Sequence, residues 1–174
     1  RIVQTGARHL LSLINDLLDL AKLGANKVEL KVEDVDCLQV VEEVAATLRH
    51  EADAKGLAFD VRLPDGPLVL RTDRRALNQI IINLAGNAVK FTNRGRVSIR
   101  VERTPGPDSP TVSFSVEDTG PGIAVRDQAR LFEAFSRGEA AGESAVVGTG
   151  LGLHLSRRLA HALGGTIAFQ TEPG

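Results

Sequence analysis

The sequence has 174 residues, of which 43% are hydrophobic, and its 21 basic and 22 acidic side chains give a net charge of -1. That length suits one domain, or one domain with an appendage, and the apolar content can fill a sizeable core. The balanced charge gives no electrostatic reason to expect binding to nucleic acid or to an anionic membrane. No apolar run approaches the roughly 20 residues of a membrane span, so we expect no membrane contact by this chain. The single Cys37 excludes an internal disulfide and suits a reducing compartment.

The first predicted element is a long helix over residues 1–23. Its apolar residues recur in alternating steps of four and three, the spacing of a heptad seam: Val3, Ala7, Leu10, Ile14, Leu17 and Ala21. Further leucines widen this stripe, which favours a helix bundle; the alternative is a helix folded onto its own globular domain. Gly24–Lys27 breaks the pattern and predicts a boundary between a partial helical domain, 1–24, and a second domain, 25–174.

The second domain mixes strands with helices. Asp36 predicts the cap of a helix that ends at Gly56, and Thr72 or Asp73 predicts the cap of a long helix that reaches about Lys90. Strands are predicted over 28–32, 57–63, 68–70, 96–103, 111–117 and 166–171, and shorter helices over 128–135 and 149–163. Because strand pairs lie between helices without strict alternation, we expect an α/β fold of the α+β type, a two-layer sandwich of a mixed sheet and helices. The long bundle-type helix would precede this sandwich.

Three short segments carry residues suited to one nucleotide site. Asn83, Asn87 and Lys90 lie one turn apart on one face of the predicted long helix. Asp118-Thr-Gly-Pro-Gly122 follows a strand with an acid and two glycines, and glycine lets the backbone approach a ligand closely. Gly148-Thr-Gly-Leu-Gly152 leads into a helix, whose free N–H groups and positive dipole end suit phosphate. Each segment alone is weak evidence, but together they are the strongest signal in the chain.

These segments resemble the N, G1 and G2 boxes of the sensor histidine kinases, in the ATP-binding superfamily shared with DNA gyrase and the heat-shock chaperone ATPases. Phe132-Glu-Ala-Phe135 resembles the F box of these kinases, and its spacing predicts two rings buried against one neighbour. Leu10–Leu23 resembles the second helix of their dimerisation domain. The resemblance covers nearly the whole chain and implies ATP and Mg²⁺ as cofactors. It assigns ATP binding to Asn83, Asn87, Lys90, Asp118, Gly120, Gly122, Phe132, Phe135, Arg137, Gly148, Thr149, Gly150, Leu151 and Gly152.

Individual roles follow from the chemistry of these side chains. The amide oxygen of Asn87 is a hard, neutral ligand suited to Mg²⁺, and the resemblance places Lys90 at phosphate. The carboxylate of Asp118 can accept a hydrogen bond from the adenine amino group. Residues 136–147 are predicted to form a mobile lid over the nucleotide, from which Arg137 can reach phosphate. The resemblance also makes the F box the anchor of this lid.

Position 83 discriminates between kinds of ATP chemistry. Hydrolytic members of the superfamily carry a glutamate there as the base that activates water, whereas the amide of Asn83 cannot take a proton. Asn83 therefore favours a kinase, in which a side chain receives the phosphoryl group. A hydrolytic ATPase of the same superfamily, or a non-catalytic nucleotide-binding adaptor, remains the alternative.

The resemblance to a kinase raises the question of the phosphoacceptor. Its pattern is a histidine followed by an acid, with a proline five residues after the histidine, and none of the four histidines fits it: His9, His50, His154 and His161. We therefore expect the acceptor on a helix absent from this chain, a homodimeric parent, and a response regulator receiver domain as the next partner. The chain starts at Arg1 and contains no methionine, and the family usually has a further strand after Thr171. We thus expect a piece of a longer, cytoplasmic or membrane-anchored signalling protein.

Overall fold

The computed structural model describes residues 30–105, 111–136 and 150–172. The predicted leading helix and its boundary, together with Arg137, Gly148 and Thr149, lie outside the described residues. In chain order the elements are β1 (Glu33–Asp36), α1 (Cys37–Ala54), β2 (Ala58–Arg62), β3 (Val69–Thr72), α2 (Arg74–Phe91), β4 (Arg96–Thr104), β5 (Thr111–Asp118), α3 (Val125–Gln128) and α4 (Gly152–Ala162).

Asp36 begins α1, as predicted, and Asp73, one of the two predicted candidates with Thr72, begins α2. The Oδ1 atom of Asp36 accepts a hydrogen bond from the N–H of Leu38 at 3.0 Å, at the start of α1. The Oδ1 atom of Asp73 accepts one from the N–H of Ala76 at 2.9 Å, at the start of α2. These bonds satisfy N–H groups that have no partner within the helix. The Oδ2 atom of Asp73 also accepts from the N–H of Lys31 at 2.7 Å, which ties the chain before β1 to the start of α2.

The sheet is mixed and is covered on one face. Strand β2 runs parallel to β4, and β4 runs antiparallel to β5, while β1 and β3 form a separate antiparallel pair. In β4, Val97, Ile99 and Val101 are buried, whereas Arg96 and Glu102 are exposed on the other face. This alternation is typical of a sheet with one solvated face. Helices α1 and α2 pack on the apolar face, so the predicted two-layer α+β sandwich is confirmed.

A smaller apolar cluster joins α2 to α4. Its buried members are Ala76, Ile80, Leu155, Leu159 and Ala160. Helix α4 ends as predicted at Gly164-Gly165, where the N–H of Gly165 reaches back to the carbonyl of Ala160 at 2.8 Å. This second cluster packs the first half of α2 against α4. Within the described ranges, no helix has both the length and the apolar run needed to cross a bilayer.

Part of the strand predicted over 28–32 lies outside the described residues, and its described residues, 30–32, are not in a strand, since β1 begins at Glu33. In the β1–β3 ladder Glu33 lies opposite Thr72, and the next residue along the chain, Asp73, already caps α2. The ladder therefore has no partner for Val32, whose side chain is half exposed.

Two other predicted elements differ in the C-terminal half. The helix predicted over 128–135 covers only Val125–Gln128, because the following N–H groups bond three residues back and form turns. The strand predicted over 166–171 is not formed. That segment is held by side chains instead of a backbone ladder, with the hydroxyl of Thr171 accepting from the N–H of Ile123 at 2.9 Å.

Candidate nucleotide site

Asn83 joins the N box to the G2 box. Its amide nitrogen donates to the carbonyl of Gly152 and to the hydroxyl of Ser156, both at 3.3 Å. Its amide oxygen accepts from the side chain of Gln79 at 3.2 Å. A Cβ atom at Gly152 would lie 3.5 Å from the Asn83 side chain. The two boxes, 69 residues apart in sequence, therefore meet at one side chain.

Asn87 and Lys90 follow on the same half-buried face of α2. Among the described residues, none forms a hydrogen bond with the amide of Asn87. The ammonium of Lys90 lies over the ring of Phe91, 5.1 Å from its centroid, and that ring is 45% exposed. The last turn of α2 thus offers an amide oxygen, a cation and an aromatic face to one region of solvent.

The G1 loop lies against the end of α2. Asp118 is exposed at the end of β5, and its Oδ1 atom accepts from the N–H of Gly120 at 2.8 Å. A Cβ atom at Gly120 would lie 2.7 Å from this oxygen and 3.4 Å from the hydroxyl of Thr92, so a larger residue there would require the Asp118 carboxylate to move. Gly122 adopts a left-handed backbone with φ of 69°, which also favours glycine.

The end of α2 carries two further features. Thr92 is fully buried, and within the described ranges its hydroxyl has no hydrogen-bond partner. The ammonium of Lys55 lies 2.7 Å from the carbonyl oxygens of both Val89 and Lys90. Sequence reasoning gave no role to either residue, nor to Phe91. Phe91 and Thr92 directly follow the N-box residues and could have been found from that position, whereas nothing in the sequence links Lys55 to a helix 34 residues away.

The G2 glycines differ in what they contact. Gly150 has a left-handed φ of 69°, and a Cβ atom there would lie 2.9 Å from the backbone of Phe135 and of Ser136. Gly150 also accepts a hydrogen bond from the N–H of Phe135 at 3.0 Å, so it packs on the F box. Leu151 is buried, and α4 starts at Gly152 without a side-chain cap. The first N–H groups of a helix have no partner within the helix, and their position suits an anion.

The F box is anchored through Phe132. Its ring lies 5.9 Å from that of Phe169, and the guanidinium of Arg157 lies over it at 5.2 Å. The Nδ1 atom of His154 lies 2.9 Å from the carbonyl of Phe132, which fits a structural histidine that donates a proton. The prediction that both rings of the box are buried is wrong for Phe135. Its φ of 62° breaks the helical spacing and leaves its ring 64% exposed.

The donor set fits a Mg²⁺ ion that takes most of its ligands from a nucleotide. Among the described residues, no group of three or more histidines, cysteines or acids could hold a metal by itself. The uncommitted amide oxygen of Asn87 is one hard ligand, and Mg²⁺ usually keeps several waters and binds substrate phosphates. The residues present therefore fit a metal that arrives with its phosphates.

Comparison with known proteins places this site in a family. Residues 72–174 match the model described as Histidine kinase-, DNA gyrase B-, and HSP90-like ATPase. This match includes the N, G1, F and G2 boxes and more than half of the chain. The chain therefore belongs to this ATPase family, which confirms the resemblance drawn from its motifs.

Its relatives are signalling proteins much longer than this chain. It is 39% identical over 173 residues to the Non-motile and phage-resistance protein of Caulobacter vibrioides, covering 99% of this chain and 20% of that protein. It is 38% identical over 173 residues to the signal transduction histidine-protein kinase BarA of Escherichia coli K12, covering 98% and 19%. The crystal structure of full-length ShkA in complex with AMPPNP superposes with a TM-score of 0.77 at 38% identity, covering 94% of this chain and 33% of ShkA. The chain thus spans about a fifth of the curated relatives it matches.

Proposed function

We propose that this chain is the ATP-binding catalytic core of a two-component sensor histidine kinase. The observation that carries the proposal is the contact of Asn83 with Gly152 and Ser156, which sets the polar face of α2 beside the start of α4. A polyphosphate lying there would meet the first N–H groups of α4 on one side and the face of Asn87 and Lys90 on the other. Its likeness to ShkA, solved with AMPPNP, supports ATP as the ligand.

Each residue then has a definite task. Asp118 accepts a hydrogen bond from the exocyclic amino group of the base, and the exposed ring of Phe91 offers it an aromatic face. Lys90 and the first turn of α4 hold the phosphates. The oxygen of Asn87 binds Mg²⁺, which neutralises charge that develops on the phosphates. The hydrogen bond from the N–H of Phe135 to the carbonyl of Gly150 holds the F and G2 boxes together.

In the parent protein the γ-phosphoryl group would pass to a histidine of a separate helix. The bond to the β-phosphate oxygen breaks, a phosphorus–nitrogen bond forms, and ADP leaves. A receiver-domain aspartate of a response regulator then takes the phosphoryl group. We also propose that the parent is a homodimer, with residues 1–24 in its dimerisation bundle, and that this core works in the cytoplasm. The histidine kinase names of the relatives support this assignment.

A hydrolytic ATPase is disfavoured by the contacts of Asn83. Both ends of its amide already form hydrogen bonds, with Gln79 on one side and with Gly152 and Ser156 on the other. It therefore neither takes a proton nor positions water. Slow ATP turnover without an acceptor helix is expected; steady multiple turnover would favour the hydrolytic alternative.

Thermal unfolding with nucleotide tests the proposal. Mg-ATP at about 100 times its Kd adds about 2.7 kcal/mol, a rise in Tm of roughly 5–10 °C for a chain of this size. Asp118→Asn weakens a charged hydrogen bond worth about 1.5–3 kcal/mol, so Mg-ATP should raise the Tm of this variant by less. Asp60→Asn, the same change at an exposed position of β2, is the control and keeps the full rise. In the unsubstituted chain, Mg-ATP should raise the Tm more than ATP with a chelator does, and Asn87→Ala should abolish this difference. If Mg-ATP leaves the Tm of the unsubstituted 174-residue chain unchanged, nucleotide binding is refuted.

A further inference from the structure

We propose that Lys55 is a positioning residue for the phosphate-binding end of α2, an inference that rests on the function proposed above. Its ammonium lies 2.7 Å from the carbonyl oxygens of Val89 and of Lys90, and 3.5 Å from that of Thr92. The last four carbonyls of a helix have no partner within the helix. Lys55 therefore supplies donors to this end of α2 from a different part of the chain.

The base of the Lys55 side chain is itself fixed. Lys55 is the C-cap of α1, and its N–H bonds to the carbonyl of Ala52 at 3.1 Å and to that of Glu51 at 3.2 Å. The next residue, Gly56, takes a left-handed φ of 67° and turns the chain into β2. Because both ends of the lysine are held, the side chain sets the direction in which the last turn of α2 points.

That turn carries the groups that would meet the nucleotide. Lys90 belongs to it, as does the exposed ring of Phe91, and Thr92 closes it against the G1 loop. A change in the direction of the turn would move a phosphate ligand and the face offered to the base together. Lys55 does not need to touch the nucleotide to affect its binding.

Charge gives the contact a second effect. The carboxyl end of a helix carries a partial negative charge of roughly half an electron, which opposes a nearby polyphosphate. The ammonium of Lys55 lies on the carbonyls that carry this charge and cancels it. Removal of this ammonium would therefore weaken the binding of a ligand with three phosphates more than the binding of a ligand without phosphate.

Calorimetric titration of the full chain separates positioning from simple stabilisation. Mg-ATP and adenosine are titrated well below the melting temperature of every variant, so that the folded fraction is complete. A cation at a helix end is worth about 0.3–2 kcal/mol, so we expect Lys55→Met to weaken Mg-ATP by roughly two- to thirtyfold and adenosine by much less. Lys31→Met is the matched control. The Lys31 side chain is 81% exposed, and among the described residues its ammonium pairs with nearby Glu33 at 3.1 Å, so we expect the Mg-ATP affinity of this variant to stay unchanged.

A double-mutant cycle with Lys90→Met tests the route of the effect. If Lys55 acts by orienting Lys90, Lys55→Met costs clearly less on the Lys90→Met background than on the parent chain, because contacting residues are not additive. Equal affinity of Lys55→Met and the parent chain for Mg-ATP overturns the proposal, as does an equal loss for adenosine or an additive cycle. A parent chain that binds no Mg-ATP refutes the proposed function instead, which is a distinguishable result.

Discussion

Replacing Thr92 with valine should make the protein more stable. The hydroxyl of Thr92 is fully buried, and within the described ranges no donor or acceptor reaches it. Its backbone is already satisfied: the N–H bonds to the carbonyl of Ala88 at 3.1 Å, and the ammonium of Lys55 lies 3.5 Å from the carbonyl. A buried hydroxyl without a partner costs about 1–3 kcal/mol, and valine replaces it with a methyl group of similar size. We expect a gain of about 1 kcal/mol, allowing for imperfect packing.

Urea unfolding measures this gain. The midpoint should rise while the slope stays constant, which marks a change in stability alone. Thr119→Val is the matched control, because the Thr119 hydroxyl accepts from the N–H of Arg96 at 3.0 Å. That control should lose about 1 kcal/mol. If Thr92→Val is destabilised by as much as Thr119→Val, the hydroxyl of Thr92 has a partner in solution and the reasoning is refuted.

Two further predictions concern single residues. Gly150→Ala should lose more free energy of unfolding than Gly164→Ala: both glycines are left-handed, with φ of 69° and 79°, but a Cβ atom meets backbone at 2.9 Å only at Gly150. An alanine at either position is strained by about 1–2 kcal/mol because of its left-handed backbone. Equal losses of unfolding free energy in the two variants would show that the Phe135 backbone moves away from the added methyl group at no cost. Burial raises the pKa of the Cys37 thiol from 9.0 to about 11, so the native thiol stays protonated while the unfolded thiol ionises. The free energy of unfolding should therefore fall as pH rises from 9.0 to about 11, by up to about 1.4 kcal/mol per pH unit, and Cys37→Ala should lack this fall.

Local chemistry made much of the fold predictable. Asp36 and Asp73 could be recognised as caps because a cap bonds to N–H groups two or three residues away. The strand over 96–103 was predictable from a similarly local pattern, because successive side chains of a strand point to opposite faces. The N, G1 and G2 boxes were recognised as motifs, and the family match confirms that recognition.

What the sequence could not show depends on contacts between distant residues. The glycine pattern predicted phosphate contacts for Gly150, but the cramped approach of the Phe135 backbone is visible only in three dimensions. The spacing of Phe132 and Phe135 suggested a helix, but the helix ends at Gln128 and Phe135 adopts a left-handed backbone. A strand was predicted over 166–171, yet a strand also needs a neighbour to share a ladder. The roles of the remaining site residues stay predictions.

Helix α2 is held at both of its ends by contacts with other parts of the chain. It has 18 residues and is about 27 Å long. At its amino end, the carboxylate of Asp73 accepts a hydrogen bond from the N–H of Lys31, in the segment that precedes β1. At its carboxyl end, the ammonium of Lys55 donates to the carbonyl oxygens of Val89 and Lys90. Asn87 and Lys90 therefore lie on a helix that is fixed at both of its ends. A displacement of the chain before β1 would reach this helix through the Asp73 carboxylate and through Leu30, which packs against the apolar cluster between α2 and α4.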